Sequence, residues 1–373
     1  MSDWQPQIVR IEKVEKHPDA DVLDIATVLG DYPVIIKRDE YRVDDVACYI
    51  PIDSIVPDTH QFHFLSPKNV EKYEENGEIK TRPLGPKYEV GSVPEKYRII
   101  KAKKIRGRYS QGMLVPCPVD IRLQLPDGSG WKIGDSVTEL LQLKKWEEQE
   151  EDNIPNAKKS RGANAEKAPQ GWAIPYYDVD GLRKYVDCLK PDEEIVLTEK
   201  VHGSNAAFCH DGTRLWVKSR NFYKKMDPDD PWWDIAIRYD LENKLAKYPN
   251  MVFFGEMYGA VKGFRYDCEI INGAMHTKIR FFDIWDVKQM RYLDYDEFVA
   301  MVKEAGLDLM PELYRGTWQG KEVMYPYAEG MTTLGGKHIR EGFVLRTAKE
   351  RYEERLNSRM QVKLVGEGYN LQK

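Results

Sequence analysis

The chain has 373 residues, long enough for two domains and a sizeable core. With 42% hydrophobic and 31% charged residues it has the make-up of a soluble globular protein, and a net charge of −5 argues against coating nucleic acid indiscriminately, though not against a local basic groove. No apolar run approaches the ~18–20 residues that span a bilayer, and "MSDWQPQIVR" lacks a signal-peptide core, so an intracellular, cytoplasmic protein without a membrane partner is expected.

In chain order, "QIVRIEKVEKHPDADVLDIATVLG" alternates apolar and polar residues on either side of the turn "HPDAD" and predicts paired strands. "YPVIIKRDEY" and "VACYIPIDSIVP" predict two more, and "RIIKAKKIRGRYSQGMLVPC" one or two further. Short strands with Gly and Pro turns predict a small closed barrel over residues 1–143. "HPDADVLDIATV" resembles the opening hairpin of OB-fold nucleic-acid-binding domains. The densest basic stretch of the chain falls here, with Arg98, Lys101, Lys103, Lys104, Arg106 and Arg108 within eleven residues. Charges alternating along one strand would face one way and could track a phosphate backbone, which makes Lys101, Lys103, Lys104, Arg106 and Arg108 candidate nucleic-acid contacts. A solvated strand edge has the same appearance.

Residues 144–170 are polar and charged and read as a linker or surface loop. The region 171–373 mixes helices, expected at "DVDGLRKYVDCL" and "DEFVAMVKEAG", with strands at "RLWVKSR", "MVFFGEMYG", "KIRFFDIW", "EGFVLRT" and "MQVKLV". It contains neither a GxGxxG nor a GxxxxGK[ST] phosphate loop. Cys48, Cys117, Cys188, Cys209 and Cys268 form no CxxC, which points to reduced thiols and no zinc site.

Each apolar strand of this second region carries a polar residue that packing does not call for: Lys200, Arg220, Glu256, Asp283, Glu341 and Lys363. Charge in apolar strands is costly unless paired or used, so one shared pocket is the economical reading. Such a pocket suits nucleotidyl transfer. A free lysine, with a pKa of ~10.4, is a poor nucleophile at neutral pH unless desolvated or placed beside a second cation. Lys363 is that candidate cation and could also neutralise charge on phosphate oxygens. Glu256 and Glu341 could hold Mg²⁺ or sugar hydroxyls, and an aromatic of "RFFDIW" could stack on a base.

"TEKVHGSN", "SRN", "FFGEMYG", "FFDIW", "EGFVLR" and "VKLV", in this order, resemble the covalent nucleotidyltransferase superfamily of ligases and capping enzymes. The K-x-H-G-[ST]-N form is similar to its RNA ligase branch, which includes phage nick-sealing and RNA-editing ligases. The resemblance implies an α+β chain: an N-terminal OB-like β-barrel (1–143), a linker (144–170) and an adenylyltransferase domain of antiparallel sheets with flanking helices (171–373). It implies that Lys200 forms lysyl-AMP, with Glu199 against the adenine and Asn205 and Arg220 at the ribose and the RNA 5′-phosphate. Glu256 would hold a ribose hydroxyl, Phe281 or Phe282 would stack on adenine, Glu341 would serve the metal with Glu256, and Lys363 would contact the α-phosphate. His202 would act in the sealing steps. One departure stands out: where the family often has K-x-K, the first position here is Gln361, leaving Lys363, with Arg359 as a nearby helper.

The implied protein is an ATP-dependent RNA ligase using Mg²⁺ or Mn²⁺, acting as a monomer on RNA ends that include nicked or splinted duplexes. Lys363 lies ten residues from the end, which leaves no room for the C-terminal OB domain of DNA ligases and capping enzymes. The alternatives are a capping-type guanylyltransferase and a silent RNA-end-binding protein on a ligase scaffold.

Overall fold

The computed structural model describes residues 4–75, 78–118, 130–146, 164–169, 171–261, 264–271 and 273–372. The chain divides into two compact units, residues 2–147 and 148–372.

In the first unit the alternation in the sequence sets the pairing. Leu23–Val28 and Tyr32–Lys37 bury every second residue and pair antiparallel, with Lys13–Lys16 on the outer edge. The central strand Val46–Ile50 pairs with Gln7–Arg10 and Met113–Pro116. Its odd residues Ala47 and Tyr49 enter one apolar cluster, while Cys48 and Ile50 enter another. The expected closed barrel is not seen. A closed barrel has one inner face, whereas these strands divide among three three-stranded sheets and two hairpins and, among the described residues, form no continuous barrel.

The expected basic strand is a hairpin. Arg106 and Gly107, at φ 41° and 83°, form a two-residue turn of the kind that demands positive φ. Lys103–Ile105 therefore folds back on Arg108–Ser110, pairing Lys104 with Tyr109. Tyr109 and Ser110 are buried, and Lys101, Lys103, Lys104, Arg106 and Arg108 are all exposed. The cations thus sit on both strands and the turn, not on alternate positions of one strand.

The stretch read as a linker is structured at its ends. Lys144–Lys145 pairs with Ser54–Ile55, and Ala165–Glu166 pairs with Tyr223–Lys224. Residues 147–163 and 170 lie outside the described residues.

The second unit holds a seven-stranded antiparallel sheet and a five-stranded one. The larger runs Ala165–Glu166, Tyr223–Lys224, Leu215–Ser219, Ser204–His210, Met251–Tyr258, Lys278–Asp286, Arg291–Tyr292. The smaller runs Asp180–Gly181, Gln361–Val365, Gly342–Thr347, Ile195–Lys200, Glu312–Gly316. Helices cover one face of the large sheet: Pro231–Arg238, capped by Asp230, and Tyr295–Glu304, with an Asp294/Glu297 capping box. Trp232, Phe298 and Val302 from these helices pack with Phe208, Phe253 and Phe281 from the sheet.

The helix expected at "DVDGLRKYVDCL" is absent. Asp180–Gly181 pairs instead with Val362–Lys363 in parallel, and two 3-10 turns follow, Leu182–Lys184 and Val186–Cys188. Tertiary pairing overrides local propensity there. No helix among the described residues is long and apolar enough to cross a membrane.

Candidate active site

Strand parity sets the site. In Ile195–Lys200, Ile195 and Leu197 point into the cluster under the five-stranded sheet, and Val196 packs on the helix-covered core. Lys200 shares the parity of Val196, at the strand's end. On the strand Gln361–Val365 of this sheet, Val362 and Leu364 enter the lower cluster, which puts Lys363 on the opposite face. Registers Lys200↔Gly342↔Val365 and Thr198↔Val344↔Lys363 place Lys200 and Lys363 on that same face, one strand apart and two residues displaced.

Glu341 directly precedes Gly342, the register partner of Lys200, and its carboxylate meets the Lys200 ammonium at 2.7 Å. The pair is partly accessible, with side-chain exposures of 24% and 12%. Two glycines allow the close packing around it. A Cβ at Gly203 would lie 2.1 Å from the Met257 carbonyl oxygen and 2.9 Å from Glu256 Cγ. A Cβ at Gly342 would lie 2.0 Å from the Leu364 carbonyl oxygen.

On the large sheet Asn205 and Glu256 stand opposite each other on paired strands. Arg220 follows the strand Leu215–Ser219 and is half-buried. Neighbours of nearly every motif meet in one small apolar cluster. Val201 follows Lys200, Tyr258 lies two residues beyond Glu256, Ile339 two before Glu341, and Val365 two beyond Lys363, with Phe282 packed against them. This cluster draws five of the six distant sequence motifs together.

Four of the residues named from sequence, Phe281, Glu199, Asp283 and Arg359, are buried or already paired within the fold. Phe281 is fully buried against Phe208 and Phe253 and cannot reach a nucleotide. A bulge opposite Phe254/Gly255 shifts the parity: Ile279, Phe281 and Ile284 all enter the core, while Phe282 faces away from it and remains half-buried. Glu199, on the parity opposite to Lys200, is buried, and its carboxylate accepts hydrogen bonds from Thr332 Oγ1 (2.6 Å), Thr333 N (2.8 Å) and Thr333 Oγ1 (2.5 Å). These bonds tie it to Thr332 and Thr333.

Asp283 and Arg359 are engaged in a charge-paired brace. Fully buried Asp283 pairs with Arg346 (3.0 Å) and with Arg359. Both arginines also meet Glu350, and the Tyr177 hydroxyl donates to Asp283 at 2.8 Å. Gln361 bonds the same hydroxyl, its Nε2 donating at 2.8 Å. Arg359, stacked 4.0 Å over the Tyr292 ring, therefore braces the sheets and does not assist Lys363. Burial, with Asp283 adding to it, holds the Tyr177 hydroxyl well above its ordinary range, so it remains a donor.

Tyr177, Tyr266, Tyr369 and the Thr332–Thr333 pair were not expected from sequence. They lie outside the apolar strand motifs, Tyr369 on the helix Glu367–Gln372, and only the folded chain brings them to their partners.

Residues 193–365 match the family model described as RNA ligase, and residues 6–117 match one described as the PHA02142 OB-fold domain. The second unit thus carries a domain of the RNA ligase family, preceded by an OB-fold domain. Among solved structures the chain is similar to Naegleria gruberi RNA ligase. A lysine mutant of that enzyme with ATP and Mn aligns at TM-score 0.73 and 20% identity, covering 99% of each chain. The same enzyme with PPi aligns at 0.70 and 20%, covering 98% of this chain and 97% of that one. A glutamate mutant with AMP and Mn aligns at 0.73 and 20%, covering 99% and 98%. At this identity the likeness establishes the fold. A search of curated proteins gives no match.

Proposed function

We propose that this protein is an ATP-dependent RNA ligase that joins an RNA 3′-OH to a 5′-phosphate, with Lys200 as its nucleophile. The carrying observation is the Lys200–Glu341 pair at 2.7 Å, at the end of the strand that begins the family match and on the face that also bears Lys363.

The Lys200 amine forms a bond to the α-phosphorus of ATP, and the bond to the bridging oxygen breaks to release pyrophosphate. An oxygen of the RNA 5′-phosphate then takes the AMP, and the electron pair of the broken bond returns to Lys200. The RNA 3′-OH finally attacks the activated 5′-phosphorus, loses its proton, and releases AMP. Lys363 supports charge on the α-phosphate. Phe282 stacks on the adenine, Asn205, Arg220 and Glu256 contact the sugar and phosphate side, and His202 serves the joining steps.

Among the described residues no group of three or more His, Cys, Asp or Glu is arranged to hold a metal. This fits a cation taken up with its nucleotide, because Mg²⁺ is usually bound by one or two carboxylates together with substrate phosphates and waters. Glu341 and Glu256 are the carboxylates that would hold Mg²⁺ or Mn²⁺, and the ion would supply neutralisation of phosphate charge. Glu341 also neutralises Lys200, so engaging a cation would free the amine to react. The exposed cations Lys101, Lys103, Lys104, Arg106 and Arg108 on the OB-fold hairpin contact RNA backbone. The enzyme works as a monomer in the cytoplasm.

The test is incubation with α-labelled ATP or GTP and Mg²⁺ or Mn²⁺, followed by a denaturing gel. Covalent label from ATP is expected. Label from GTP alone would identify a capping-type guanylyltransferase, and no label from either a silent RNA-end-binding protein.

A further inference from the structure

The C-terminal helix Glu367–Gln372 lies beyond the matched ligase segment, which ends at residue 365. Tyr369 on this helix is buried in the apolar cluster that contains Val201. Packing there requires only its ring. Its hydroxyl nevertheless lies 2.7 Å from Nδ1 of His202, with the two rings 5.9 Å apart. The His202 main-chain N–H donates to the Tyr266 hydroxyl at 2.9 Å, and Tyr266 is itself wedged edge-on against His338 at 4.5 Å. His202 is therefore held twice, by its backbone through Tyr266 and by its ring through Tyr369.

We infer that Tyr369 is a positioning residue for His202, fixing the orientation and tautomer of the imidazole for the RNA-joining steps. A neutral imidazole donates from one nitrogen and accepts at the other. With the tyrosine hydroxyl donating to Nδ1, the ring proton resides on Nε2 and is presented in one direction. Without the hydroxyl, tautomer and rotation are both released, although the apolar packing survives. The inference rests on the reading of His202 as a joining residue.

Preformed adenylylated enzyme is mixed with nicked, 5′-phosphorylated RNA in single turnover, using the wild type, His202→Ala, Tyr369→Phe and the double variant. ATP labelling is measured in parallel. Tyr369→Phe is expected to slow joining ~5-fold at saturating RNA, the effect of removing one hydrogen bond of ~1 kcal/mol. The half-saturating RNA concentration and the ATP labelling should stay near wild type, and the double variant should be no slower than His202→Ala.

If His202→Ala joins at the wild-type rate, the reading of His202 fails and the inference with it. If His202→Ala is slow and Tyr369→Phe is not, only the positioning role is overturned. Losses that multiply in the double variant overturn it too, as does an equal loss of ATP labelling in Tyr369→Phe. A second readout needs no tyrosine variant: ¹⁵N-histidine NMR of the wild type, with His202 assigned by its absence in His202→Ala. The Nε2–H tautomer is expected, and Nδ1–H would overturn the inference.

Discussion

Lys200 and Lys363 stand on the same face of the five-stranded sheet, separated by the strand Gly342–Thr347. Both can address one phosphate group while the strand between them keeps them apart. Lys363→Ala should slow ATP labelling of the enzyme ~10²–10³-fold, the usual effect of removing one interaction that strengthens in the transition state. Rapid-quench labelling at saturating ATP measures it, and a near-normal rate would place Lys363 outside the transfer step.

Lys200→Arg retains a cation beside Glu341 but cannot offer a neutral amine, because a guanidinium stays charged above pH 12. No covalent label should form, while the variant keeps a wild-type melting temperature within a few degrees. Labelling equal to wild type would move the nucleophile elsewhere.

The two phenylalanines should separate cleanly. Phe282→Ala should raise the KM for ATP on the order of tenfold, since one base–aromatic stack is worth ~1–3 kcal/mol, with little effect on stability. Phe281→Ala should lower stability by ~3–5 kcal/mol as a core cavity. Urea unfolding and ATP titrations on both variants check the pair, and reversed phenotypes would mean that the bulge has been misassigned.

Gly203→Ala forces a methyl group to 2.1 Å from the Met257 carbonyl oxygen. The strand carrying Glu256 must shift, at ~1–3 kcal/mol of overpacking. Labelling should fall by far more than the thermal melt suggests, because the displacement falls on a site residue. A variant that melts early but labels normally when folded would contradict this.

Neutralising Lys101, Lys103 and Arg106 together should weaken RNA binding and leave ATP labelling intact. For every phosphate no longer neutralised, the slope of log affinity against log salt should decrease by roughly 0.7–0.9. Binding measured at several salt concentrations decides it. An unchanged slope would make the hairpin a solvated edge.

The strands and motif order of the ligase domain were legible because strands buried on both faces read as short apolar runs, and the register Lys200↔Gly342 alone puts Lys200 beside Glu341. The choice between Phe281 and Phe282 was not legible, since one bulge reverses the parity that simple alternation extrapolates. The two-sided burial of Val46–Ile50 was not legible either, since its two faces enter separate apolar clusters made of residues distant in sequence. Tyr177 lies 106 and 184 residues from the partners its hydroxyl binds, and Tyr369 lies 167 from His202. No local pattern encodes pairings of that range.

The buried set of Asp283, Glu350, Arg346 and Arg359 balances two negative charges against two positive ones. Gln361 and Tyr177 complete it with neutral groups. A lysine at position 361 would be a surplus cation in a place where water cannot compensate it. The glutamine that departs from K-x-K and the arginine pair behind it are therefore a single feature. A chain with this electroneutral brace has reason to leave position 361 uncharged, and Lys363 is then the one cation of the strand Gln361–Val365.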